Sequence, residues 1–177
     1  MVTGSGKTRW LLAGQQLLRE FGVRGVKIEA LVDTTNLTTG SFYHHFPNMA
    51  AYRKELAEFY GTAQVEENVE TIADADPRDR LRRLAQIARE ESMGALDAAM
   101  RDWAGSDPVA AGAVRALDAT LLEHIAGAFR DLGHDEAGAR IRAFVLFSAG
   151  VAQVHPPWPV GDSAETLLDI LERADGS

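Results

Sequence analysis

Within one short stretch, Thr38-Thr39-Gly40-Ser41-Phe42-Tyr43-His44-His45-Phe46, the chain gathers hydroxyls, a phenol and two imidazoles around two apolar rings. These groups are hydrogen-bond donors and acceptors rather than a nucleophile with its base. Read as a helix, the stretch leaves Thr38, Thr39, Ser41 and His44 on the outward side. Small hydroxyls and a side-chain-free Gly40 let such a helix lie deep in a major groove, where base edges are read. Tyr43 and His45 carry donors long enough to reach backbone phosphates. Thr38 has the chemistry of an N-cap. Leu37 before it and Phe42 four residues beyond it have the spacing of a hydrophobic staple, which fixes the angle at which the chain joins the helix.

A reading helix needs a scaffold, and the preceding residues supply one. Leu11, Ala13, Leu17, Leu18 and Phe21 form an apolar stripe that predicts a first helix over 8–21, with Gly22 as its stop. Ile28 and Leu31 predict a second over 27–34. Phe46 packs back, Pro47 breaks the turn and Asn48 caps a fourth helix. Lys7, Thr8 and Arg9, at the start of helix 1, and Lys27, at the start of helix 2, are placed to clamp phosphates.

From Leu11 to Tyr52 the sequence resembles the TetR family of bacterial transcriptional regulators. The resemblance is carried by Leu17-Leu18-Arg19-Glu20-Phe21-Gly22, by Ile28-x-x-Leu31-Val32 and by Leu37 through Phe46. It implies a three-helix head that binds a palindromic operator, and a larger helical body that dimerises and takes a small effector. By that resemblance Thr38, Thr39, Ser41, Tyr43 and His44 match the recognition-helix contact positions. Three positions depart from the pattern. Lys27 stands where Ser or Thr usually caps helix 2, and its stem cannot replace that cap. Thr35-Asn36 replaces the usual Ala-Gly, although Asn tolerates the left-handed conformation such a turn needs. Met49 stands where a Lys typically meets phosphate.

Composition agrees with a head joined to a body. The 177 residues are 46% apolar and carry a net charge of -8. Residues 1–55 hold 7 Lys and Arg against 4 Asp and Glu, a balance of +3; the remainder holds 11 against 22, a balance of -11. A basic head can approach phosphate while an acidic body discourages indiscriminate binding. Without cysteine there is no disulfide, thiolate metal site or cysteine nucleophile. No basic start precedes a long apolar run, and no unbroken apolar run approaches the roughly 18 residues of a membrane span, so a cytoplasmic protein is expected. Gly4-Ser5-Gly6-Lys7-Thr8 imitates the end of a phosphate-binding loop, but Met1 occupies the place of its first glycine. A nucleotide site is not expected there.

Helical periodicity continues to the end of the chain, so the fold class is all-α, with a three-helix head at 1–47 and a six-helix body at 48–177. Helix 4 is expected from Asn48 to Ile72, with Ala51, Leu56, Phe59, Tyr60 and Ala63 inward. Asp76-Pro77-Arg78-Asp79 opens helix 5, whose stripe is Leu81, Leu84, Ile87 and Ala88; Gly94 should separate it from helix 6. Asp107-Pro108 opens helix 7, and Gly133 ends it. Helix 8, expected over 135–154, is apolar on most sides, and Asp162-Ser163-Ala164-Glu165 opens helix 9. Helices 8 and 9 are the expected homodimer interface, with the stiff loop at His155–Pro159 placing Trp158 over its edge. Met100, Trp103, Phe129 and Phe147 are candidate apolar walls of an effector pocket, with Arg101, His124 or Gln153 as polar anchors. Acids and imidazoles in the body fall in no recognised catalytic or metal pattern, so neither enzyme activity nor a cofactor is expected. The leading expectation is a homodimeric repressor of double-stranded operator DNA, released by a small, mainly apolar effector. The alternatives are a structural or protein-interaction homodimer with weakened DNA binding and, less favoured, a helical-bundle enzyme.

Overall fold

A computed structural model describes residues 6–62, 75–88, 91–152 and 163–173. Among these the chain forms nine α-helices and no strand: α1 (Gly6–Gly25), α2 (Ile28–Thr35), α3 (Thr39–His45), α4 (Met49–Thr62), α5 (Pro77–Ala88), α6 (Glu91–Ala104), α7 (Pro108–Asp131), α8 (Glu136–Ala152) and α9 (Ser163–Glu172). Contacts divide it into two units, Met1–Val65 with Ala95–Ala116 and Glu66–Gly94 with Leu117–Ser177. The end of helix 4 expected over 63–72, the loop at His155–Pro159 with Trp158, Gln153 and the cap Asp162 lie outside the described residues.

In the first unit, α1 packs against α2, α3 and α4. Its buried face holds Trp10, Leu11, Ala13, Leu17 and Leu18, joined by Val26, Leu31, Phe42, Phe46, Tyr52 and Leu56. Two expectations from periodicity need correction. Phe21 shares the helical face of Leu17 and Leu18 but is 63% exposed, because neighbouring helices cover that face only part of its length. Gly94 does not break the chain: it is buried within α6. Gly22 does leave the helical path, with φ 64 and ψ -176, although helical hydrogen bonding resumes to Gly25. That region is open almost only to glycine.

The start signals work through local hydrogen bonds. Asn48 accepts from the Ala51 N–H at 2.8 Å, Asp76 from the Arg78 N–H at 2.9 Å, and Asp107 from Val109 and Ala110 at 2.8 and 3.0 Å. Each satisfies donors that the first turn of a helix leaves unpaired. In the first unit, Tyr60 of α4 donates to Asp97 of α6 at 2.6 Å, and the same carboxylate accepts from Arg101 at 2.7 Å. In the second unit, Leu81, Ile125, Ala126, Phe129, Ala139, Ala143, Leu146 and Leu168 share one core, with Leu84 and Phe147 packed against it. Arg142 of α8 donates to the Leu171 carbonyl of α9 at 2.9 Å. On the opposite side, Ile141 and Phe144 are 65% and 64% exposed, alongside Val145 on α8 and Ile170 on α9.

The closest approach in the first unit is at Gly14. A Cβ there would fall on the Tyr52 hydroxyl and within 3.0 Å of a Leu56 methyl. Gly14→Ala therefore forces α1 and α4 apart, despite alanine's better helix propensity, and should destabilise the chain by about 1–3 kcal/mol. A urea midpoint equal to the parent's would contradict that close packing.

Candidate nucleic-acid interface

The polar stretch at 38–46 becomes a helix because its own residues start it and bury one side of it. The Ser41 N–H donates to Thr38 Oγ1 at 3.2 Å, so Thr38 is the N-cap of α3. Ahead of it, Asn36 takes the left-handed conformation at φ 52. The Leu37 N–H donates to Thr35 Oγ1 at 3.3 Å, and that hydroxyl donates to the Leu31 carbonyl at 2.7 Å. A turn with only one polar side chain turned inward thus keeps its hydrogen bonds.

Phe42 is the inward anchor of α3. It is fully buried, edge-on to Trp10 at 5.4 Å between ring centroids, 5.3 Å from Tyr52 and 5.2 Å from Phe46. Phe46 in turn meets Tyr52 edge-on at 4.9 Å. Tyr52 donates to the Trp10 carbonyl at 2.8 Å, and burial pushes its phenol above the ordinary tyrosine range, keeping the donor proton in place. Burying one ring of this size stabilises by about 1.5–3 kcal/mol, more than a seven-residue helix could draw from its own backbone.

The outward side carries the residues expected to meet DNA. Thr38, Thr39, Gly40 and His44 are exposed, Ser41 and His45 are half-buried, and Tyr43 is 53% exposed with its ring edge-on to Phe42. The two imidazoles lie 5.1 Å apart. Lys27 is exposed at the start of α2 and makes no side-chain cap bond, as its stem predicts. Lys7 and Arg9 of α1 each have a partner within the head. Lys7 pairs with Glu55 and lies 5.6 Å from the centre of the Phe46 ring. Arg9 donates to the Thr35 carbonyl at 3.0 Å. Thr8, half-buried, lies between them in sequence. Sequence reading passed over Arg53, which donates to the Val26 carbonyl at 3.3 Å, and Trp10, whose central place only Phe42 and Tyr52 reveal.

The candidate effector residues fall in both units. Met100 and Trp103 are buried on α6, next to the half-buried Arg101 that pairs with Asp97. Phe129 is fully buried and Phe147 partly buried in the core of the second unit, where His134 meets Phe129 edge-on at 5.8 Å. His124 is exposed on α7. Among the described residues no cluster of three or more His, Asp or Glu could hold a metal ion, and no helix is long and apolar enough to cross a membrane.

Because one side-chain bond starts α3, Thr38→Ala should cost about 0.5–2 kcal/mol. Amide exchange in residues 39–45 should quicken more than exchange in α1. Uniform protection across both helices would show that Thr38 does not hold the helix start.

The sequence model of the family described as bacterial regulatory proteins, tetR family, matches residues 11–56, from within α1 to the middle of α4. A solved transcriptional regulator from Rhodococcus sp. Rha1 is similar at TM-score 0.73 and 17% identity, over 95% of this chain and 94% of that chain. Escherichia coli NemR in its reduced form is similar at TM-score 0.71 and 18% identity, over 95% and 94%. Salmonella enterica GusR follows at 0.66 and 18%, over 94% and 93%. At such identities these structures speak for the fold. No curated protein matches the chain. The family's model thus matches the head at residues 11–56, and the chain shares its fold with these solved structures.

Proposed function

We propose that the chain is a homodimeric repressor that reads a palindromic operator with α3. The observation that carries this reading is the Thr38-capped helix seated on Phe42, with Thr39, Tyr43 and His44 turned to solvent. Thr39 and His44 supply contacts to base edges, while Tyr43, His45 and Lys27 have donors for phosphate. Thr38 and Ser41 are tied together at the helix start. In this reading the domains divide near Pro47, the head at 1–47 carrying the DNA contacts and 48–177 carrying dimerisation and regulation.

Dimerisation is supported by the exposed Ile141, Phe144 and Val145 of α8 and Ile170 of α9. A second copy pairing on this surface through helices α8 and α9 would remove apolar area from water and set two heads on half-sites about 34–36 Å apart. A small, mainly apolar effector would act by favouring a head spacing that does not match the operator, a shift of populations without bond chemistry. Met100 and Trp103, beside the Asp97–Arg101 pair that Tyr60 ties to α4, support a link between such an effector and the head.

Selecting genomic fragments against the purified protein at several salt concentrations tests the reading. A salt-dependent, sequence-selective complex is expected. Equal weak binding to all duplexes would favour the second reading, an interaction homodimer with weakened DNA binding, for which the bare Lys27 cap and the internal pairing of Lys7 speak. Tyr43→Ala should weaken the selective complex by about tenfold, one lost hydrogen-bonded contact, with dimer mass unchanged. Phe144→Asp should instead yield a monomer by mass in solution. A dimer that survives this charge would place the interface elsewhere.

A further inference from the structure

Arg9 was expected at a phosphate; the residue is exposed, but one nitrogen of its guanidinium is engaged in the head. Nη2 donates to the carbonyl of Thr35 at 3.0 Å, across 26 residues of sequence. Thr35 closes α2, so this carbonyl is one of the four that a helix end leaves without a backbone partner, and a cation there also meets the negative end of the helix dipole. Thr35 is buried, and its own hydroxyl holds the next turn of chain by accepting from Leu37. The left-handed Asn36 and the cap Thr38 follow directly. Arg9 is thus bonded to the first residue of the turn that aims α3.

Its neighbour completes the hold. Trp10, next on α1, takes Phe42 of α3 edge-on at 5.4 Å and offers its carbonyl to Tyr52 of α4. Consecutive residues of α1 therefore grip the turn before α3 and the middle of α3 itself. Trp10 sets how deeply α3 sits. With that contact as a pivot, Arg9 fixes how α3 is turned about it.

We infer that Arg9 is a positioning residue for sequence reading, acting through the Thr35 carbonyl and the α2–α3 turn rather than by holding a DNA phosphate. The inference rests on the operator-binding reading above. Its consequence separates two quantities that a phosphate contact would change together. A lost phosphate contact weakens binding to every duplex alike and lowers the slope of log affinity against log salt by about 0.9. A loosened turn blurs recognition of the right bases and leaves the number of neutralised phosphates unchanged.

The test compares the wild-type chain with Arg9→Met and Arg9→Lys on a selected operator duplex and on a shuffled duplex of the same composition, across a salt series. Arg9→Met should narrow the ratio of operator to shuffled affinity by about tenfold, the scale of one charge-assisted hydrogen bond, with the salt slope unchanged. In the DNA-free protein, amide exchange at 36–41 should quicken. Arg9→Lys keeps the charge but lacks the guanidinium's reach and planar fork, so it too should narrow the ratio; it carries the test alone should Arg9→Met fail to fold. A ratio that survives in Arg9→Met while the slope falls by about 0.9, or an Arg9→Lys protein that matches the wild type, overturns the inference and returns Arg9 to the phosphate. A wild-type chain that forms no selective complex overturns the operator-binding reading, and this inference with it.

Discussion

Everything proposed for the head depends on one buried contact group, the rings of Trp10, Phe42, Phe46 and Tyr52. A seven-residue helix has too few internal hydrogen bonds to hold its shape in water. Phe42 supplies what the backbone cannot, by placing a ring where α1 and α4 also contribute one. Tyr52 adds direction to this apolar contact. Its hydroxyl reaches the Trp10 carbonyl only because Gly14 leaves room for it. One missing side chain on α1 thus permits the hydrogen bond that fixes α4, and the rings between them fix α3.

The same arrangement decides which polar groups face solvent. Phe42 and Phe46 are four residues apart and turn inward together. Thr39, Tyr43 and His44 are thereby directed outward, and Tyr43 keeps a ring contact with Phe42. The outward set contains no arginine, lysine, asparagine or glutamine, the side chains that make the bidentate base contacts of strongest discrimination. In the proposed reading, hydroxyls and imidazoles would be less exacting readers, so the orientation of α3 would matter more than the identity of any one contact. The turn before α3 is held by Thr35, the left-handed Asn36 and Arg9.

What could be read from the sequence was what depends on near neighbours. The Thr38 cap, the left-handed Asn36, the uncapped start at Lys27 and the Asp76 and Asp107 helix starts all involve residues within a few positions of one another. Their chemistry is complete in a short window. The failures were tertiary. Phe21 has the right period for burial but lies where nothing covers it. Gly94 has the composition of a break but sits buried in a continuous helix. Trp10 looks like any apolar residue until Phe42 and Tyr52 surround it. Gln15 is buried in the apolar face of α1, which no periodicity would assign to an amide. Of the candidate site, the outward residues of α3 were legible and the internal engagement of Lys7 and Arg9 was not, because their partners Glu55 and Thr35 are distant in sequence.

That engagement also bears on the charge balance. The basic excess of the first 55 residues is small; within it Lys7 pairs with Glu55, and the exposed Arg9 gives one hydrogen bond to the Thr35 carbonyl. Nearby, Lys54 lies 3.8 Å from Glu58, and Arg53 reaches the Val26 carbonyl. Part of the positive charge in this head therefore serves assembly. In the proposed operator-binding reading, a head built this way would gain less from the release of counterions, the contribution that all DNA sequences share. Its discrimination would then come from shape, from how accurately α3 meets a groove. Accuracy of that kind is set by the rings beneath the helix and the turn before it.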